Sequence, residues 1–100
     1  MTPRVEVPMA RLEELCRRWR ISELALFGSV LRDDFRPDSD VDVLVTFEEA
    51  AGWSGYELVD LIAELKALFG REVELVEKPA IRNPFRRHEI LSTAQVLYAA

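Results

Sequence analysis

Leu24-Ala25-Leu26-Phe27-Gly28-Ser29, then ten residues, then Asp40-Val41-Asp42-Val43-Leu44-Val45 decides how this chain is read. A short apolar run ends at a glycine and a hydroxyl. Two acids separated by one residue then open a second apolar run that reaches Phe47. In that run Val41, Val43 and Val45 alternate with Asp42, Leu44 and Thr46, and dense β-branching makes it a strand. Strand side chains have a period of two, so Asp40 and Asp42 point to one side while the valines face a core. Two carboxylates so placed repel unless a cation lies between them. Hard oxygen ligands favour Mg²⁺ or Mn²⁺, which bind phosphate oxygens as well. At the other end, Gly28 lets backbone approach a phosphate, and Ser29 adds a hydroxyl donor. A short helix expected over Val30 to Phe35 would turn its N–H groups toward an anion. Phosphate at one end and metal at the other fit phosphoryl or nucleotidyl transfer. Taken singly, Gly-Ser is a turn and Asp-x-Asp after Pro37 is a polar loop. Their combination, with strands at both ends, points to a site.

Outward from this stretch the chain alternates helices and strands. Residues 1–8 carry Pro3 and Pro8 and read as an irregular lead-in. Met9, Leu12, Leu15, Cys16 and Trp19 recur at helical spacing. Arg36-Pro37-Asp38-Ser39 breaks the chain before the acids. Glu48 to Gly55 reads as a loop, with Glu48-Glu49 a solvated turn. Ser54 and Glu57 have capping-box spacing, and Leu58, Leu61, Ile62, Leu65, Leu68 and Phe69 form the stripe of the helix that follows. Gly70 sits where a left-handed helix end belongs. Glu72-Val73-Glu74-Leu75-Val76 alternates as a third strand with both acids on one side. If this strand lies beside the second, one of them supplies a third carboxylate. Pro79 and Pro84 bound a loop. Phe85 to Tyr98 reads as a final helix, although Gln95-Val96-Leu97-Tyr98 also suits extended chain. The order α-β-α-β-α-β-α implies an α/β (α+β) fold, a small mixed β-sheet flanked by helices, in a single domain over residues 1–100.

Composition narrows the function classes. The net charge of −5 argues against a direct nucleic-acid partner. No apolar run approaches the ~20 residues that span a bilayer, so no membrane role is expected. The N-terminus has no apolar core segment of a signal peptide. The single cysteine excludes an internal disulfide. A cytoplasmic protein is expected.

Gly28-Ser29, ten residues, then Asp40-Val41-Asp42 resembles the signature of the DNA polymerase β-like nucleotidyltransferase superfamily. "LFGSVLRDDFRPDSDVDVLV" is similar to its smallest branch, the minimal nucleotidyltransferase (MNT) domains, and "REVELVEKPAIRNPFRRHEILSTAQVLYA" resembles that branch's third strand and C-terminal helix. The likeness runs from about Ile21 to the end. It implies that Gly28 and Ser29 position a triphosphate, that Asp40 and Asp42 ligate Mg²⁺ or Mn²⁺, and that the third acid falls at Glu74. Many relatives carry Asp at that place, and its usual role is to activate the attacking hydroxyl. The resemblance also implies an antitoxin paired with a helical HEPN-domain toxin, silencing it by moving AMP from ATP to a toxin tyrosine in a hetero-oligomer. The alternative is a catalytically weak or inactive nucleotide- or partner-binding module that neutralises its partner by occlusion. A third rival is transfer to a small molecule, which usually needs an added acceptor domain.

Other residues carry weaker signals. Arg32 and Arg36 lie between the motif halves and are assigned to the nucleotide. Arg82, Arg86 and Arg87 suit either a solvated helix start or contact with phosphate or partner. His88 is read as a surface residue and Cys16 as core filler. Trp53 and Tyr56 are read as packing over the following helix rather than as an exposed aromatic loop.

Overall fold

The computed structural model describes residues 5–33 and 35–100. The first four residues of the lead-in and position 34, within the expected short helix, lie outside the described residues. The order is α1 (Met9–Arg18), β1 (Ile21–Phe27), a 3-10 turn (Gly28–Leu31), β2 (Val41–Phe47), α2 (Gly55–Phe69), β3 (Val73–Glu77), a second 3-10 turn (Lys78–Ala80), α3 (Pro84–Thr93) and β4 (Gln95–Ala99). The four strands form one mixed sheet in the order β3-β2-β1-β4. β1 pairs antiparallel with β2 and β4, and β2 pairs parallel with β3. The crossover helix α2 makes the parallel pair feasible, because parallel neighbours cannot be joined by a tight turn.

Strand alternation gives the sheet two faces. Leu24, Leu26, Val41, Val43 and Val45 face Leu12, Leu15 and Cys16 of α1 and Leu61, Leu65, Leu68 and Phe69 of α2. Ala25, Phe27 and Leu44 face the other way, onto Ile81 and onto Ile90 of α3. Each fully buried aliphatic side chain contributes ~1.5–3 kcal/mol, so the larger first cluster holds most of the fold. Cys16 is fully buried there, and burial pushes its thiol up to about 12. It is an inert core residue, as its helix position suggested.

Local signals set the helix ends. Ser54 N–H donates to Glu57 Oε2 at 3.3 Å, opening α2, and Gly70 ends it at φ 68°. Asn83 opens α3, its Oδ1 accepting from Phe85 N at 2.9 Å and Arg86 N at 3.2 Å.

Two expectations change. The final helix stops at Thr93, and residues 95–99 form β4, the extended alternative for that stretch. Ala94 leaves the helix at ψ 142°. Pairing with β1 then satisfies backbone groups that β1 would otherwise expose as an edge. Trp53 packs against the core that α1 and α2 share, and it also meets Trp19 after α1. The rings meet edge-on at 4.9 Å, and Trp53 Nε1 donates to the Trp19 carbonyl at 2.6 Å. Trp19 Nε1 in turn donates to Glu64 Oε2 at 2.7 Å. Tyr56 is 91% exposed and packs on nothing substantial.

The chain leaves β1 at Gly28 with φ 76°, and a Cβ at that position would collide with Asp42 Oδ2. Gly70 has a similar φ of 68° but open space around it. Gly70→Ala is expected to lose about 1–2 kcal/mol, the left-handed backbone cost alone. Gly28→Ala should lose more, because Asp42 must also turn away. Thermal melts of the two variants side by side check the order.

Candidate active site

Asp42 is the second residue of β2, and its Cα partners are Phe27 on β1 and Glu74 on β3. By alternation it shares the face of Leu44, the face that α3 covers. Glu74 shares the face of Val76, which packs on the same cluster. The parallel register therefore sets two carboxyls side by side, and a side-chain hydrogen bond joins them. Two carboxyls can share a hydrogen bond only if one keeps a proton. Burial first, then the hydrogen bond and charge of Glu74, then the charge of Asp40, push Asp42 from 3.8 up to about 6, against an opposing pull from Arg32. Asp42 thus holds a proton where an ordinary aspartate has lost it.

Asp40 is exposed and lies one residue before β2. It reaches Asp42 through charge, while strand alternation aligns only Asp42 with Glu74. Among the described residues no three His, Cys, Asp or Glu side chains converge as a ready-made metal cage. The donors present are all carboxylate oxygens, with Asp42 half-buried and Glu74 exposed. That chemistry fits Mg²⁺ or Mn²⁺, which accept one or two protein carboxylates and complete their shell with water and substrate phosphate. Glu72 is turned to another task. Its carboxylate pairs with Lys66 Nζ at 3.1 Å and is largely exposed, which leaves Glu74 as the acid beside Asp42.

The phosphate half of the motif stands against this pair. The Gly28 backbone abuts the Asp42 carboxyl so closely that no side chain fits between them. Ser29 follows, half-buried, in the single 3-10 turn that takes the place of the longer expected helix. Its carbonyl accepts from Arg32 N–H at 2.9 Å. Arg32 then leaves the turn in extended conformation. With Phe27, Gly28, Arg86, Glu89, Ile90 and Thr93 it lines a cavity of about 200 Å³. So Gly28, Arg32, Asp42 and Glu74 gather at one end of the sheet, on the α3 face.

Arg36 is not among the residues lining that cavity. Its N–H donates to Ser39 Oγ at 3.0 Å, and its carbonyl accepts from Arg71 Nη2. Arg71 also donates to the Ser39 carbonyl at 3.4 Å and stacks over Phe35 at 4.3 Å from the ring centroid. One side chain from the end of α2 thereby pins the loop that delivers Asp40. Sequence reasoning missed Arg71, since a contact across more than 30 residues leaves no local pattern. Of the three arginines set aside near α3, Arg86 borders the cavity. Arg87 Nη1 is bound to the Lys78 carbonyl at 3.0 Å. His88 is exposed, as expected.

This geometry can be set against known proteins. The profile described as "Nucleotidyltransferase domain" matches residues 9–97. A curated relative, the protein adenylyltransferase MntA of Thermococcus cleftensis, is 39% identical over 74 residues, covering 74% of this chain and 73% of that protein. A solved structure assigned as a minimal nucleotidyltransferase is 34% identical, with a TM-score of 0.69, and covers 86% of this chain and 85% of its own. A toxin–antitoxin structure with AMP-PNP superposes with a TM-score of 0.73 at 17% identity, covering 94% of this chain and 75% of that one, and supports the fold. The Gly-Ser turn, the acid pair across β2 and β3 and the match along nearly the whole chain agree: the protein belongs to the nucleotidyltransferase-domain family, among its minimal nucleotidyltransferases.

Proposed function

We propose that this protein is an antitoxin that transfers AMP from ATP to a tyrosine of a HEPN-type toxin partner, in a reaction dependent on Mg²⁺ (or Mn²⁺). The observation that carries the proposal is the Asp42–Glu74 carboxyl pair set against the Gly28 turn. The relatives add support. The Thermococcus cleftensis protein is named a protein adenylyltransferase. One structure of the same fold pairs an MNT antitoxin with a tri-AMPylated HEPN toxin of Shewanella oneidensis, with a TM-score of 0.64 at 16% identity, over 92% of this chain and 70% of that one. ATP as substrate makes the cytoplasm the expected site of action. Among the described residues no helix is long and apolar enough to cross a membrane.

In this reading Asp40, Asp42 and Glu74 hold the metal, which when bound offsets negative charge on the phosphates and lowers the pKa of the acceptor hydroxyl. Gly28 leaves the backbone bare so that phosphate can approach. Ser29 donates its hydroxyl, and Arg32 and Arg36 are the arginines assigned to the nucleotide. The tyrosine oxygen forms a bond to the α-phosphorus, the bond from that phosphorus to the bridging oxygen breaks, and pyrophosphate leaves. Glu74, the most exposed of the acid pair, accepts the phenolic proton. The register pairs its Cα with that of Asp42.

The second reading, a nucleotide- or partner-binding module acting by occlusion, has one observation in its favour. Asp40 stands outside the Asp42–Glu74 contact, so the acids form a pair and not a closed triad.

Incubation with ATP, Mg²⁺ and a HEPN toxin encoded beside this gene should add adenylate to the toxin, read by intact mass. Asp42→Asn should slow the reaction roughly 100-fold or more, since several kcal/mol of charge stabilisation are lost. Unchanged toxin mass with the wild-type protein refutes the enzyme. Glu74→Asp separates the readings: faster transfer means an enzyme slowed by the longer acid, whereas no transfer by either form means occlusion.

Proton and metal compete for one carboxyl pair, which gives a pH signature. Asp42 is raised in the folded state, from 3.8 to about 6. Its contribution to stability is therefore fully present below pH 3.8 and is lost as pH rises through about 6. Added Mg²⁺ should raise the melting temperature above that window and do little below it. Asp42→Asn should abolish both effects, as melts between pH 4 and 8 will read.

A further inference from the structure

We propose that Arg86 of α3 is a second phosphate-binding arginine, closing with Arg32 on the polyphosphate of the bound nucleotide. The inference rests on the nucleotidyl-transfer reading above and extends it to an element outside the Gly-Ser…Asp-x-Asp motif.

Two guanidiniums from distant parts of the chain border one small cavity. Arg32 comes from the Gly28 turn and Arg86 from the first turn of α3. Both side chains are exposed, and a guanidinium fork on each side of the cavity suits an anion between them. Glu89 is the one acid among the described residues of the lining. It stands three residues after Arg86, on the same helix face, where it can orient the guanidinium without filling the cavity. The floor is Gly28, whose bare backbone abuts Asp42. An anion here therefore lies next to the acids that would hold the metal.

Size and chemistry select the part of the ligand. The cavity holds about 200 Å³, below the ~300–1,000 Å³ of pockets that enclose whole small molecules. It suits a polyphosphate better than a nucleoside. Guanidinium is planar and forked, and it binds phosphate oxygens two at a time. Phe27 and Ile90 form an apolar wall on one side of the cavity. Asn83 steadies the presenting residue, since its Oδ1 accepts the Arg86 backbone N–H at 3.2 Å. That leaves the side chain to serve the cavity. Arg87, one residue on, is committed to the Lys78 carbonyl.

The test is calorimetric binding of Mg·ATP, AMP and Mg·tripolyphosphate to the purified protein and its variants. Arg86→Ala should weaken Mg·ATP and Mg·tripolyphosphate about 10- to 100-fold, the size of one or two hydrogen bonds to a charged group, and leave AMP unchanged. Arg86→Lys should recover part of the loss, because charge remains and the fork does not. Arg17→Ala, on α1 across the sheet, should bind as the wild type does. Melting curves establish that each variant is folded. A folded Arg86→Ala protein that binds Mg·ATP and Mg·tripolyphosphate as the wild type does overturns the role of Arg86 and leaves the nucleotidyl-transfer reading standing. Equal weakening of AMP overturns it as well, since the contact would then be to the nucleoside end. A wild-type protein that binds neither Mg·ATP nor Mg·tripolyphosphate overturns both. Weakened binding in Arg86→Ala, with toxin left unmodified by the wild type, upholds the phosphate contact while the transfer reading falls.

Discussion

The parallel register of β2 on β3 is the constraint on which the site depends. It pairs Asp42 with Glu74 and, in the same ladder, Val43 with Leu75 and Leu44 with Val76. A slip of one residue would turn Asp42 into the core and Val43 out of it, and all three buried valines of β2 oppose that. The acid pair is therefore held by apolar burial elsewhere on the same strands. Ordinary core energetics supply the positional accuracy that the chemistry needs.

The two faces of the sheet divide the work. The α1–α2 face holds the larger cluster of fully buried aliphatic side chains, so it supplies most of the stability. The α3 face holds a smaller cluster, and it leaves the Gly28 end open as a cavity. Acids and arginines gather where burial is incomplete. Full burial would make ionisation of Asp42 prohibitive, and full exposure would leave it an ordinary carboxylate. Half-burial gives an acid that keeps its proton to higher pH than an ordinary aspartate and can still yield it to a divalent cation.

Support for the site comes from residues that do no chemistry. Arg71 ties the loop before Asp40 to the end of α2 through two carbonyls and an aromatic ring. Lys66 pairs with Glu72 at the surface, two residues before Glu74. Asn83 starts α3 and sets the height at which Arg86 enters. The Arg71 contacts join segments more than 30 residues apart, whereas the Lys66–Glu72 pair and the Asn83 cap are local.

The sequence by itself determined the elements and the kind of chemistry. Valine alternation from Val41 defined β2, Ser54 and Gly70 bracketed α2, and the Gly-Ser and Asp-x-Asp spacing marked the residues that gather at the site. These signals are local, written in periodicity and in the few residue types that tolerate a given backbone. Only the tertiary structure decided that Glu74 and not Glu72 meets Asp42, that Arg32 and Arg86 share a cavity while Arg36 does not line it, and that residues 95–99 join the sheet. β4 is legible only once β1 offers an unpaired edge, since a short apolar run suits helix and strand alike. Register, cavity lining and edge pairing depend on which distant segments meet, and burial summed over the whole core settles that.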